Sequence, residues 1–257
     1  PARAWHPRSA SKALGRQINF MLEHMTKLIE QGIQKERLIK DTEIKALQNQ
    51  INAHFIYNVL ESIKMMAEIK EEYDVSDALT SLGKLLRYTM RWGEQCVNVE
   101  DEIEYIRNYL ALINLRFDYR IILSINMKEE LLKQQIPKMS LQPIVENAIY
   151  HGIEELAEDT TIYIKGIVQD DGSCIIEIMD SGMGMTEEQV INLRKKISGE
   201  VVTKKQGSGN GLGLKNVQDR IIMSFGREYG LSVASKEHCY TKVIVKIPYV
   251  ARKGGTI

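Results

Sequence analysis

Asn147 and His151 stand one helical turn apart, beside an apolar stripe made by Leu141, Ile144, Val145, Ala148 and Ile149. A helix here presents an amide and an imidazole at the edge of a buried face, where they meet either a ligand or solvent. Pro143 suits that helix because it falls in the first turn. Asp180 ends an alternating stretch in which Ile176 and Ile178 share its face. If that face points inward, a carboxylate reaches the border of the core and needs a donor, such as an amino group on a ligand. The same Asp180-Ser181-Gly182 run is also ordinary turn chemistry. Gly182 and Gly184 let backbone approach a planar group or turn tightly. Gly207, Gly209, Gly211 and Gly213 then lead into a helix with Lys215 and Asn216 in its first turn. Converging N–H groups and a helix N-terminus suit phosphate oxygens, although a glycine run before a helix is often only a flexible loop. A dinucleotide fingerprint fits poorly, because no strand leads directly into it. Upstream, His54 and Asn58 share one helical face, where the imidazole can act as a nucleophile or simply pack.

These residues need elements to position them. Leu14, Ile18, Met21, Met25 and Leu28 follow a 4-3-4-3 spacing, a coiled-coil seam that implies dimerisation. The pattern slips near Gly32 and resumes as Ile44, Leu47, Ile51, His54 and Asn58. A turn is expected at Glu71 to Asp77, with Asp74 or Ser76 capping a helix through Trp92. Two such hairpins make a four-helix bundle. A further helix is expected over Glu100 to Arg116. Strand alternation then marks Thr161 to Val168, Cys174 to Asp180, Leu231 to Ser235 and Thr241 to Ile247, with helical patterns at Leu141 to His151 and Leu214 to Phe225. The stretch from Gly182 to Gly213 is long and poorly periodic, and reads as a mobile lid. The expected fold class is multi-domain: an α-helical coiled-coil and four-helix dimerisation bundle, then an α+β domain with a mixed sheet and helices on one face. Its parts are a coiled-coil helix over 1–34, dimerisation helices carrying His54 over 35–98, and a ligand-binding domain over 99–257.

Bulk properties narrow the function. The 257 residues hold 34 basic and 34 acidic side chains, a net charge of zero, so direct nucleic-acid binding is not expected. An apolar fraction of 44% supports a real core. Cys96, Cys174 and Cys239 are far apart, with no zinc-type spacing, and read as reduced cytosolic thiols. No stretch has the roughly 20 apolar residues of a membrane helix. The abrupt start inside a helical pattern suggests an upstream membrane segment, which would make this the cytoplasmic portion of a cell-membrane protein.

In this order and spacing the clusters resemble a known family. Val145-Glu146-Asn147-Ala148, Asp180-Ser181-Gly182-Met183-Gly184-Met185 and Gly211-Leu212-Gly213-Leu214-Lys215-Asn216-Val217 resemble the N, G1 and G2 boxes of the gyrase, Hsp90, histidine kinase and MutL ATP-binding fold. The stretch from Leu47 to Asn58, with Leu85-Leu86-Arg87-Tyr88, Asn108-Tyr109-Leu110 and Arg116-Phe117, looks like LytS/YesM-type sensor histidine kinases. Residues 14–34 are less specifically similar to the last helix of a HAMP-type linker. The resemblance implies ATP-dependent autophosphorylation of His54, with Asn58 orienting it or a hydrolytic water. It implies that Asn147 holds Mg²⁺ against the phosphates, Asp180 reads the adenine amino group, and Gly182 and Gly184 shape the adenine pocket. His151 and Gly152, with Gly211, Gly213, Leu214 and Lys215 of the third box, would complete the nucleotide site, and Thr241 would join the water network around the base. It also implies a homodimer that passes phosphoryl to an aspartate of a response regulator, an AraC-type transcription factor in the YesM-like branch. Ala53 stands where proline is usual, Tyr150 where lysine is common, Tyr240 where glycine precedes Thr241, and Asn210 within the lid; no acid follows His54, since Phe55 does. A gyrase-type ATPase would carry its water-activating acid at the position of Pro143, which disfavours that rival. A catalytically silent dimeric scaffold is the other alternative.

Overall fold

The computed structural model describes residues 36, 40, 54–90, 95–153, 156–200 and 212–250. The coiled-coil seam, Ala53, Trp92 and the lid residues Gly207, Gly209, Asn210 and Gly211 lie outside them. The chain divides into two units, Pro1–Val59 and Leu60–Ile257. In the first, residues 36, 40 and 54–59 are helical, and Glu36 pairs with Lys40 across one exposed turn at 2.9 Å.

The second unit opens with helical residues 60–69 (α1), and α2 follows at Tyr73–Thr89. The turn between them uses Glu71 in a left-handed conformation, with φ at 61°. This corrects the expected cap. Glu72 is the N-cap residue, Asp74 sits inside the first turn, where its carboxylate favours the helix dipole, and Ser76 donates back to Glu68 at 2.9 Å. The helix also stops at Thr89, short of Trp92. Helix α3, Val99–Ile113, starts at a capping box made by Asn98 and Asp101. It ends three residues before Arg116, and Asn114 then turns back to bond both backbone groups of Ile121, at 2.8 and 3.0 Å.

Five strands form the main sheet: β2 (Ile121–Asn126), β4 (Thr160–Val168), β5 (Ser173–Asp180), β7 (Tyr240–Pro248) and β6 (Gly230–Lys236), in that spatial order. The β2–β4 pair is parallel and the others antiparallel, so the sheet is mixed, as expected. A two-stranded ribbon pairs β1 (Cys96–Asn98) with β3 (Gln135–Pro137), and the short α4 spans Glu129–Leu132. Ile162 and Ile164 of β4, Ile176 and Ile178 of β5, and Val245 and Ile247 of β7 are buried on one face. They share the core with Ile106 and Leu110 of α3, Ile144 and Val145 of α5 (Gln142–Ala148), and Val217 and Ile221 of α7 (Leu212–Phe225). Full burial of each such side chain stabilises by about 2 kcal/mol. On the opposite face Tyr163 and Ile122 are exposed, so among the described residues the helices cover one side of the sheet only.

The expected lid is partly a helix. Residues Glu187–Ser198 form α6, started by a Thr186–Gln189 capping box and stopped by Gly199 in a left-handed conformation. Its apolar face is thin, with Val190 and Ile197 buried seven residues apart, which explains the weak sequence signal. No helix among the described residues is long and apolar enough to cross a membrane.

Candidate functional site

The site forms where α5 meets the ends of β5 and β7. Helix α5 begins with Pro143 in its first turn and widens into a π-turn, Ile149–Ile153. The wider turn carries His151 and Gly152 to the sheet. A Cβ at Gly152 would lie 2.7 Å from Asp180 Oδ1, and one at Gly182 only 2.2 Å from the Gly152 carbonyl oxygen. The two glycines therefore let backbone meet backbone, and Met183 N–H closes the contact by donating to the Gly152 carbonyl at 3.0 Å. Gly184, with φ at 63°, lies against the Lys236 carbonyl, where a Cβ would approach to 2.0 Å. A left-handed residue without a side chain is required there.

Asp180 is 3% exposed. Its carboxylate accepts from Gly182 N–H at 2.9 Å, and among the described residues no cation pairs with it. Burial pushes its carboxyl up to about 6, and backbone N–H groups of Gly182 and Thr241 restrain the rise. Thr241 is its partner across the β5–β7 ladder. The Thr241 hydroxyl is 3.0 Å from Ser235 Oγ, which donates to the Tyr240 carbonyl at 2.7 Å and accepts from Met185 N–H at 2.8 Å. Tyr240 thus enters this network through its backbone, so a side chain in place of glycine leaves the network intact.

A cavity of about 430 Å³ lies over these groups, within the range of small-molecule sites. Of the residues singled out in the sequence, Asn147, His151, Gly152, Asp180, Gly184, Leu214 and Thr241 line it. Gly182 shapes it from behind through Gly152. Lys215 is not among the lining residues, and its ammonium pairs with Asp219 at 2.9 Å. Gly213 lies in the first turn of α7, where a Cβ would sit 3.6 Å from Pro143 of α5. Gly211 is outside the described residues. Tyr150 points elsewhere, its hydroxyl 3.5 Å from that of Tyr109.

Sequence reasoning missed the far wall. Gln189, Asn192, Leu193 and Lys196 of α6 line the cavity, together with Met183 and Met185. Their signal was the Thr186-x-x-Gln189 capping box followed by helical spacing across that face. The cavity thus joins a deep carboxylate and an apolar wall of Ile144, Ile178 and Val243 to a rim of amide, imidazole and ammonium groups. In the first unit, His54 is exposed on its helix, and Asn58 places its amide nitrogen 3.4 Å from His54 Nδ1.

Residues 42–121 match the histidine kinase family, and residues 137–251 match the histidine kinase-, DNA gyrase B- and HSP90-like ATPase family. The chain is 32% identical over 243 residues to the sensor histidine kinase YesM of Bacillus subtilis (strain 168), covering 95% of this chain and 40% of that protein. It is 29% identical over 231 residues to the sensor protein kinase HptS of Staphylococcus aureus (strain bovine RF122 / ET3-1), covering 90% of this chain and 43% of that one. The chain therefore spans about two fifths of the length of these relatives. Among solved structures, the histidine kinase domain of the blue-light activated histidine kinase from Erythrobacter litoralis EL346 aligns at a TM-score of 0.43 and 13% identity, over 77% of this chain and 94% of that one. By the two adjoining family matches and the agreement with YesM along nearly the whole chain, the chain belongs to the sensor histidine kinases of the YesM type, with an ATP-binding domain of the gyrase and HSP90 kind.

Proposed function

We propose that the chain is the catalytic portion of a two-component sensor kinase that moves the γ-phosphoryl group of ATP onto His54 and then onto an aspartate of a response regulator. The observation that carries this reading is Asp180, a buried carboxylate whose donors are backbone N–H groups, facing a cavity behind a glycine-on-glycine contact. A buried acceptor in that position is matched by the exocyclic amino group of adenine, which supplies the donor that burial denies it. Thr241 and Ser235 extend the polar floor beside it, and Ile144, Ile178 and Val243 suit the faces of a planar base. Asn147 and His151, on the rim, would face the phosphates, and Asn147 would be the protein ligand to Mg²⁺. Lys196, across the cavity, adds a cation on the α6 side.

In the transfer, an unprotonated nitrogen of His54 attacks the γ-phosphorus. The N–P bond forms as the bond to the β,γ-bridging oxygen breaks, ADP leaves with that bond's electron pair, and the phosphorylated ring returns to neutral by releasing the proton of its other nitrogen to solvent. Asn58, whose amide nitrogen stands 3.4 Å from Nδ1, is within reach to set which ring nitrogen carries the proton. Hydrolysis to drive a conformational cycle is the weaker reading. Pro143 occupies the position of the water-activating acid, and Glu146, the nearest alternative, is engaged by Gln142 at 2.7 Å.

In this reading residues 35–98 supply the acceptor and the dimer contact, 99–257 the ATP-binding part, and 1–34 a signalling helix. The partners are a second copy of the chain and a response regulator of AraC type, and the cytosolic supply of ATP places this portion on the cytoplasmic side of a membrane protein. The test is incubation with γ-labelled ATP and Mg²⁺ beside His54→Ala and Asn147→Ala. Acid-labile, alkali-stable label in the wild type, missing from both variants, is the expected result. ATP binding without label would instead support the silent scaffold.

A further inference from the structure

Glu102 of α3 is 1% exposed, and its carboxylate gathers donors from two other parts of the fold. Oε1 accepts from the Tyr88 hydroxyl of α2 and from Met139 N–H, and Oε2 accepts from Leu141 N–H at 2.8 Å. Leu141 is the N-cap residue of α5, the helix that carries Asn147. The same turn is gripped from the other side by Arg220 of α7, which donates to the carbonyls of Lys138 at 2.7 Å and Met139 at 2.6 Å. Met139 is held at φ 60°, a conformation that a side-chain-bearing residue adopts only where its surroundings impose it. Lys138 also reaches α2, with its ammonium 5.0 Å from the Tyr88 ring centroid and 3.4 Å from the Thr89 carbonyl.

A strained turn clamped by a buried carboxylate and a guanidinium has few ways to relax. Whatever moves the carboxylate moves the start of α5. The Tyr88 hydroxyl is the one side-chain donor given to that carboxylate by α2, a helix that contributes nothing to the cavity lining. We propose that Glu102 is a positioning residue that ties α2, through Tyr88, to the strained turn at Met139, and so sets the placement of the helix bearing Asn147 and His151. The inference rests on the cavity being the ATP site only for its effect on nucleotide affinity; the mechanical tie is tested separately.

The test uses Tyr88→Phe, which keeps the ring packed against Tyr105 at 5.0 Å and removes only the hydroxyl, together with Glu102→Gln and the double variant. Amide hydrogen exchange over residues 139–151 is expected to quicken about fivefold or more in Tyr88→Phe while exchange in the central strands stays unchanged. ATP affinity, measured with a fluorescent ATP analogue well below the unfolding midpoint, is expected to weaken about fivefold in Tyr88→Phe and more in Glu102→Gln. The double variant should be no worse than Glu102→Gln alone, because the hydroxyl acts only through the carboxylate. Unchanged exchange at 139–151 in Tyr88→Phe, or fully additive losses in the double variant, would overturn the proposal. Should Glu102→Gln fail to fold, the exchange result for Tyr88→Phe decides by itself. Quickened exchange in a protein that binds no ATP would sink the nucleotide reading and leave the tie standing. Normal ATP binding and His54 labelling with unchanged exchange would do the reverse.

Discussion

Replacing Asp180 by Asn should make the nucleotide-free protein more stable at neutral pH while weakening its hold on ATP. Burial raises this carboxyl from the ordinary 3.8 to about 6. The folded state therefore binds the proton more tightly than the unfolded chain does between those values, so stability falls as pH rises through that window and stays lowered above it. The difference corresponds to about 3 kcal/mol of cost for carrying the charge at pH 7.5. The side chain is almost fully enclosed, so little of that is lost to solvent screening. Asn keeps an oxygen for Gly182 N–H, which Asp180 now accepts at 2.9 Å, and removes the charge. Urea unfolding followed by far-UV circular dichroism should show Asp180→Asn more stable by about 2 to 3 kcal/mol at pH 7.5, with the gap closing to less than about 1 kcal/mol near pH 4. ATP affinity should drop at least about tenfold, since a charge-assisted bond to the adenine amino group becomes a neutral one. A variant less stable than wild type at pH 7.5, or a gap that persists at pH 4, would refute the argument from burial. Unaltered ATP affinity would refute the adenine contact.

Gly182→Ala should disrupt the site from behind, because its Cβ would sit 2.2 Å from a carbonyl oxygen that has no flexible end to yield. Thermal unfolding should register a loss of about 3 kcal/mol or more, with ATP binding lost in parallel. Thr186→Ala removes the side-chain half of the α6 capping box and should cost about 1 kcal/mol. Hydrogen exchange in the first turn of α6 is the sensitive readout, and ATP affinity should change less than about threefold. Asn58→Ala removes the amide beside the His54 ring and should leave ATP affinity unaltered. It should slow both His54 labelling and dephosphorylation of the regulator, and unchanged rates of both would remove Asn58 from the mechanism.

The residues facing the cavity were legible where chemistry and folding pull against each other. Asp180 stands out because it follows Ile176 and Ile178 on a buried face, the last place an acid would be kept for stability alone. Gly152 and Gly182 could be read as permissive but not as a facing pair, since their contact joins α5 to the end of β5 across 30 positions of sequence. The sheet core was equally readable, because Ile162, Ile164, Ile176, Ile178, Val243 and Val245 alternate along strands buried on one side only. Helix α6 escaped notice because two buried residues in twelve leave almost no periodic signal, and its existence rests on caps at both ends. Strand β2 escaped for a different reason: in Ile-Ile-Leu-Ser-Ile-Asn the exposed Ile122 breaks the alternation, and only the parallel pairing with β4 resolves it. The α2 cap was misplaced because Glu71 takes a left-handed turn that no local residue type requires.

This fold carries two kinds of cost. The charge on Asp180 costs about 3 kcal/mol beyond what its backbone donors offset, and in the proposed ATP complex a donor entering the cavity would relieve that cost. The strain at Met139 is offset permanently, by Glu102 and Arg220 on either side of the turn. A ligand can therefore change the first cost directly but reach the second only by shifting the clamp. That makes Tyr88, the α2 residue bonded to Glu102, the position where a movement of α2 and occupancy of the cavity would be felt by one another.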